Sequence, residues 1–199
     1  MPDSPARTLR VIRGAALAML LGACSDSPVL PPAQIPVADQ QITLYALNGT
    51  PVNTPSAYSL FLPGPVRLDQ TSDFDFAFDI RPDSAFGLGQ TGDTIAALMP
   101  RYALGFTADG GIQTSTLAFD SITAAPSSGY DAKKPVQVRD GSVLFLASRV
   151  QTCNFSVVLP HYAKMVVQQI DFVLRTATIH VVLDPNCGYR SLAPGIPSF

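Results

Sequence analysis

The sequence predicts an all-β protein, an antiparallel β-sandwich of about eight to ten strands. All 15 acidic residues are Asp, and there are only three lysines beside 14 glycines and 18 prolines. Residues that favour solvent-exposed helices are therefore scarce. Short apolar runs alternate with turn-forming residues, and no helical pattern of 10–15 residues separates them. This arrangement is typical of antiparallel sheets packed face to face rather than of alternating strands and helices.

Runs of β-favouring residues between turn signals define the strands. The runs are 42–47, 58–62, 74–80, 94–99, 103–107, 112–122, 136–138, 142–149, 153–159, 164–174 and 176–183, and they fit eight to ten strands. The run at 94–99 has a helical turn ended by Pro100 as an alternative. Residues 143–147 are apolar on both alternations, which places them centrally with both faces covered. Residues 165–183 form a C-terminal hairpin that turns near Leu174 and Arg175.

The segment 73–80 has the clearest two-residue period, with aromatic or aliphatic side chains on one face and carboxylates on the other. The apolar members are Phe74, Phe76, Phe78 and Ile80, and the acidic members are Asp73, Asp75 and Asp79. We predict a core face and a solvated face. The alternative is a weak cation site on the three aspartates, although their spacing lacks the central Gly and terminal Glu of an EF-hand loop.

Residues 1–23 have the layout of a secretory signal. Arg7, Arg10 and Arg13 precede an apolar run at 14–23, which ends at Cys24 and the polar Ser25. Ten or eleven residues at about 1.5 Å rise cover only half of a hydrocarbon core of roughly 30 Å, so this run is too short to span a membrane. The leader therefore predicts export.

Leu21-Gly22-Ala23-Cys24 resembles the lipobox of bacterial lipoprotein precursors, in which small residues precede the cysteine that becomes lipidated. The resemblance implies cleavage before Cys24 and anchoring to a membrane through its acyl chains. In that family an Asp after the cysteine favours inner-membrane retention, so Ser25 implies the outer membrane. We expect an exported protein, lipid-anchored in the cell envelope and facing the periplasm or the cell surface. An ordinary secretory signal is the alternative.

Domain boundaries follow from composition. The signal peptide is 1–23, and 24–40 is the lipidated cysteine with a tether that holds four prolines within 25–39. Such a segment is expected to be semi-extended and to lift the domain off the membrane. The β-sandwich domain is 41–199.

The two remaining cysteines, Cys153 and Cys187, are expected to form a disulfide because the predicted compartment permits oxidation. Free thiols are one alternative. A zinc site is another, and it would need His161 and His180 to converge with the thiolates. The motif Gly87-Leu-Gly-Gln-Thr-Gly92 matches a dinucleotide-binding pattern, but its context, without a buried parallel strand before it, favours a loop between strands.

The sequence favours a non-enzymatic envelope lipoprotein that binds or assembles with another envelope component. From Cys24 onward, ten cationic and fourteen acidic side chains give a net charge of −4, which disfavours nucleic acid as a partner. No catalytic residue, cofactor or metal is predicted beyond the weak aspartate site. This part of the chain resembles small β-rich lipoproteins of unknown function, and no residue roles are taken from that resemblance.

Two other functions are considered. One is a carbohydrate or small-ligand binding module that uses tyrosines as flat platforms; the other is a hydrolase with an Asp-based site. The tyrosines are Tyr45, Tyr58, Tyr102, Tyr130, Tyr162 and Tyr189.

Overall fold

The chain folds into two five-stranded antiparallel sheets that pack against each other, which confirms the predicted sandwich. The computed structural model describes residues 30–153 and 158–197. The strands are β1 (Ala38–Tyr45), β2 (Ala57–Ser59), β3 (Gly64–Val66), β4 (Phe76–Pro82), β5 (Thr94–Pro100), β6 (Gly111–Ser115), β7 (Val136–Val138), β8 (Val143–Ala147), β9 (Gln151–Thr152), β10 (Val158–Leu159), β11 (Tyr162–Asp171) and β12 (Thr176–Asp184). The first sheet has the order β1-β12-β11-β8-β6 and the second β3-β2-β4-β5-β7, while β9 and β10 form a separate hairpin.

The main core lies between the two sheets, where inward side chains at every second position interdigitate. From the second sheet, β4 contributes Phe76, Phe78 and Ile80 to it. The first sheet contributes the inward residues of β8, β11 and β12, namely Leu144, Leu146, Met165, Val167, Ile179, Val181 and Leu183. The period of two therefore identified the core face of β4 correctly.

Phe74 departs from that pattern. It is fully buried, but it packs with Ala57 and Ala77 in a smaller cluster on the opposite side of the second sheet. The reason is that β4 begins only at Phe76, so the strict alternation does not extend back to Phe74. The prediction that all four apolar residues share one face is wrong for this residue.

Several strand predictions are confirmed and others are corrected. The C-terminal hairpin pairs β11 with β12, and Arg175 at its turn has a left-handed φ of 56°. Strand β8 is covered on both faces, although it lies next to the edge strand β6 rather than at the centre of its sheet. Residues 94–99 are strand, not helix.

Local turns replace one predicted strand and shorten another. A 3₁₀ turn at Arg101–Leu104, closed by Gly105 with φ of 87°, replaces the strand predicted at 103–107. The long run at 112–122 ends as strand at Ser115, and a second 3₁₀ turn follows at Phe119–Ser121. The glycine motif lies in a loop between β4 and β5, after the four-residue helix α1 (Asp83–Phe86), as expected for an inter-strand loop.

The N-terminal segment contacts the sandwich before the predicted domain boundary. Strand β1 begins at Ala38 rather than after residue 40, and Val37 N donates to the Gly195 carbonyl at 2.9 Å. The predicted signal peptide and the lipidation site Cys24 lie outside the described residues. No helix within 30–153 or 158–197 is long and apolar enough to span a membrane.

We predict that replacing Phe76 with Ala lowers the free energy of unfolding by about 3–5 kcal/mol. Phe76 is 1% exposed and stacks on Tyr58 with ring centroids 5.6 Å apart, so truncation removes a large side chain and leaves a cavity. Urea denaturation monitored by circular dichroism measures this loss. An exposed apolar residue, Val52→Ala, is the control and should change the value by less than about 0.5 kcal/mol. Equal effects would contradict the core assignment.

Candidate functional site

The aspartates of the phenylalanine strand occupy two different environments. Asp75 and Asp79 are buried, at 7% and 0% exposure, whereas the Asp73 side chain is 64% exposed and pairs with Arg149 Nη2 at 2.8 Å. The predicted solvated face is therefore wrong for Asp75 and Asp79. Alternation showed that these side chains point away from the main core, but it carried no information about the neighbouring backbone that covers them.

The Asp75 carboxylate joins segments from the two sheets. Its Oδ2 accepts a hydrogen bond from Leu60 N at 2.6 Å, and its Oδ1 accepts one from Arg149 N at 3.0 Å. Burial raises the pKa of Asp75, and the two backbone hydrogen bonds with the charges of Arg149 and Arg101 oppose that rise. This group is a structural junction rather than a free acid.

Asp79 is bound in the same manner. Its Oδ1 accepts hydrogen bonds from Asn48 N and Ile80 N, each at 2.8 Å, and its Oδ2 accepts one from Arg81 Nε. Within the described ranges, no three His, Cys, Asp or Glu side chains are grouped so that they could hold a metal ion. The aspartate carboxylates that were considered for a cation site are instead bound by N–H groups and arginines.

Cys153 and Cys187 form the predicted disulfide. Their sequence separation of 34 residues corresponds to about 4 kcal/mol in the chain-entropy model. His161 lies in the cleft beside this bond, whereas His180 lies on the outer face of the first sheet and pairs with Asp39. The zinc alternative is therefore wrong, since the cysteines are bonded to each other and the two histidines lie apart.

The disulfide borders a cleft of about 460 Å³ that is closed on one side by residues 31–37, which we call the N-terminal strap. Asn186 holds the strap: its Oδ1 accepts hydrogen bonds from Gln34 N at 3.0 Å and Ile35 N at 3.1 Å, and its Nδ2 donates to Ile35 O at 2.7 Å. Tyr189 Oη donates to Pro31 O at 2.9 Å. The described half of the predicted tether is thus docked on the domain.

Two buried groups lie behind this contact. Asp184 is fully buried, and its Oδ1 accepts hydrogen bonds from both Asn186 N at 2.9 Å and Asn186 Nδ2 at 2.7 Å. Burial raises the pKa of Asp184, while the hydrogen bonds from Asn186 oppose the rise. Burial also lowers the pKa of His161, and a hydrogen bond to the Pro185 carbonyl opposes that change. A neutral imidazole therefore borders the cleft at neutral pH.

A second cavity, of about 290 Å³, lies on the outer face of the first sheet. Lys164 Nζ donates to Phe119 O at 2.9 Å and Ile122 O at 2.8 Å, and it lies 4.4 Å from the centroid of the Phe119 ring. His180 Nε2 lies 2.6 Å from Asp39 Oδ1 at the same cavity. Burial lowers the pKa of Lys164, and Asp120 and Asp39 oppose this. The lining combines the charged side chains of Asp39, Asp120 and Lys164 with apolar side chains such as Val37, Ile122 and Val182, at the scale of a small ligand.

The tip of the β11–β12 hairpin exposes three consecutive apolar residues. Phe172, Val173 and Leu174 are 49%, 90% and 68% exposed. Asp171 Oδ1 accepts hydrogen bonds from Val173 N at 2.8 Å and Leu174 N at 2.7 Å, which fixes the turn. Arg175 donates from Nε to Asn48 O at 2.7 Å and from Nη2 to Ile80 O, which braces the tip against the second sheet.

The structure spreads the tyrosines rather than arranging them as a sugar-binding platform. Tyr58 is buried in the core, and Tyr102 is exposed beneath Lys133. The Tyr130 and Tyr162 rings are 6.0 Å apart, and Tyr130 Oη donates to Pro126 O. Tyr58, Tyr102 and the Tyr130–Tyr162 pair thus lie in separate parts of the sandwich.

Sequence reasoning missed the residues that build these sites. Asn186 was not singled out, because its partners Gln34 and Ile35 are about 150 residues away in the chain. Phe172–Leu174 was read as the end of a strand, since apolar residues favour strands and exposed turns with three of them are unusual. Comparison with protein-family models and with curated proteins finds no match to this chain.

We predict that Asp75→Asn lowers the free energy of unfolding at pH 7 by about 1–3 kcal/mol, because the substitution replaces one of the two accepting oxygens with an NH2 group, which faces the N–H of either Leu60 or Arg149. Asp73→Asn is the matched control, and its exposed ion pair should contribute less than about 1 kcal/mol. Denaturant unfolding of both variants measures the difference in unfolding free energy. Equal losses in the two variants would contradict the role of Asp75 as a link between the sheets.

The same pair of variants tests the pKa of Asp75. Since the folded-state pKa lies above the ordinary value of 3.8, the folded protein binds this proton more tightly than the unfolded chain does. The Asp75 contribution to stability therefore falls as the pH rises from about 4 through the raised pKa. Asp75→Asn should remove that slope, and Asp73→Asn should retain it.

Proposed function

We propose that this protein is an exported, lipid-anchored and non-enzymatic binding module of a bacterial cell envelope, anchored at the outer membrane. It binds a protein component of the envelope through the β11–β12 tip. The observation that carries the proposal is the placement of the exposed tip at the end of the sandwich opposite to the incoming N-terminal segment.

The strand register defines these two ends. In the β1–β12 ladder, Ala38 pairs with Leu183 at one end, and Tyr45 pairs with Thr176 at the other. At about 3.3 Å per residue the eight-residue strand β1 separates these ends by about 25 Å. The strap lies beyond the Leu183 end, where Asn186 holds it, and the tip follows directly at the Thr176 end. A chain anchored at Cys24 would therefore present the tip away from its membrane.

The chemistry of the tip supports a protein partner. Three adjacent apolar side chains exposed on a rigid turn are costly to leave in water unless they are covered in a complex. The turn is already ordered by Asp171 and Arg175, so little conformational entropy is lost when it binds. The net charge of −4 from Cys24 onward disfavours attraction to nucleic acid and to anionic lipid headgroups.

A second candidate function is the binding of a small ligand in the Lys164 cavity. The observation that favours it is that Lys164, His180 and Asp39 line one cavity of about 290 Å³ together with apolar side chains. Such pockets combine an apolar wall with a few polar groups that orient the ligand. Titration with small amphiphilic compounds, monitored by the His180 imidazole resonances in wild type and in Lys164→Met, tests this candidate. A specific ligand should shift these resonances in wild type alone.

We predict that Cys24→Ser produces a protein that loses acyl labelling and leaves the membrane fraction, because the substitution removes the thiol that carries the first lipid. Ser25→Ala, which keeps the cysteine, is the control and should fractionate with wild type. Radiolabelled fatty acid incorporation and membrane fractionation are the measurements. If Cys24→Ser retains both the label and the membrane association, the lipoprotein assignment is wrong.

We predict that a photo-crosslinking amino acid at Val173 captures a discrete partner in intact cells, because this is the most exposed side chain of the tip. The same probe at Ile196, which is 59% exposed at the opposite end, is the matched control. Val173→Asp should abolish the crosslink formed from a probe at Leu174 without changing the unfolding free energy by more than about 0.5 kcal/mol. Equal capture from Val173 and Ile196 would contradict the assignment of the tip.

A further inference from the structure

The contact between the strap and the sandwich has the form of peptide recognition. Asn186 uses both amide hydrogens and both lone pairs of its oxygen, and three of these four hydrogen bonds go to backbone atoms of Gln34 and Ile35. Tyr189 adds a hydrogen bond to the Pro31 carbonyl. The domain therefore recognises the main chain of the strap, which leaves side-chain identity largely free.

The strap has the composition of an extended peptide ligand. Pro31, Pro32 and Pro36 lie within seven residues, and prolines fix φ near the value of polyproline II. Segments of this kind lose little entropy on binding and typically dock into grooves that supply aromatic surface and polar groups for their carbonyls. Tyr189 and Asn186 supply these two elements.

The receptor side is built in advance. Asp184 holds both nitrogens of Asn186, and the disulfide joins the adjacent Cys187 to Cys153. Gly188 has a φ of 79°, and a side chain there would clash with Leu159 and with Leu30 at 2.5 and 2.8 Å, so the chain directly before the strap approaches closely at this point. Space of about 460 Å³ remains between the strap and the wall that contains Phe61 and His161.

We propose that this cleft is a binding site for an extended, proline-rich peptide, and that its resident ligand is the chain's own strap. The site therefore has a docked state, with the strap in place, and an open state that can accept the same peptide in trans. If the chain is anchored at Cys24, as the proposed function holds, release of the strap changes how far the domain can extend from the membrane. The seven residues from Cys24 to Leu30 can reach at most about 25 Å when the strap is docked, and the fifteen from Cys24 to Ala38 can reach about 50 Å when it is released.

The test uses strap variants of the full mature chain in detergent micelles. Gln34→Pro with Ile35→Pro removes both N–H donors to Asn186 Oδ1 and changes no residue on the domain side of the cleft. Ala33→Pro is the matched control, since Ala33 makes no hydrogen bond among the described residues. Hydrogen exchange of the Val37 amide, which donates to Gly195 O, reports release of the strap, and that of Ile179 in β12 reports the integrity of the sheet.

We predict at least tenfold faster exchange at Val37 in the double variant, with Ile179 unchanged and Ala33→Pro equal to wild type. A labelled synthetic peptide of residues 30–37 should then bind the double variant at least tenfold more tightly than wild type by fluorescence anisotropy. Adding Asn186→Ala to the double variant should abolish that binding. Unchanged protection at Val37, or equal peptide binding to all variants, overturns the proposal. These readouts do not depend on lipidation, so the proposed anchoring can fail separately.

Discussion

The buried carboxylate of Asp75 connects the two halves of the sandwich. It accepts a hydrogen bond from Leu60, next to β2 in the second sheet, and another from Arg149, just after β8 in the first. Its position fixes the Arg149 guanidinium, which donates to Phe74 O, where Arg101 also donates. Burying a carboxylate is costly unless its lone pairs are satisfied. Its hydrogen-bond partners lie 15 and 74 residues away in the chain. These bonds therefore hold together segments of the two sheets that are distant in sequence.

Antiparallel pairing along β1, β12 and β11 gives the molecule its polarity. The same ladder that ends beside the strap and the disulfide continues at its other end into the exposed hairpin tip. Neither feature depends on the other for its local geometry, since Asp184 and Asn186 organise one end and Asp171 and Arg175 the other. A single long edge pairing therefore places the N-terminal strap and the candidate binding surface at opposite ends.

The sequence was sufficient for features that depend on local chemistry. Alternation in β4 identified Phe76, Phe78 and Ile80 as core, and turn residues marked most strand ends. The disulfide between the two cysteines was predicted from the compartment that the leader sequence implies. Features that depend on contacts between distant parts of the chain could not be predicted from the sequence. Burial of Asp75 depends on Leu60 and Arg149, and docking of the strap depends on Asn186. A proline-rich composition indicates an extended backbone, but it does not show whether another part of the chain binds it. Lys164 was missed for the same reason, because the carbonyls that hold it come from a loop over 40 residues earlier.

The clasp formed by Asn186 and Tyr189 also determines the path of mechanical load through the molecule. Strand β1 is an edge strand that pairs only with β12. A pull on the N-terminus reaches Pro31, Gln34 and Ile35 before it reaches Ala38, and the clasp passes that force into the turn that the disulfide joins to β9 and β10. The edge strand is thus shielded from tension until the clasp opens. The hydrogen bonds of the strap must therefore break before β1 carries the load.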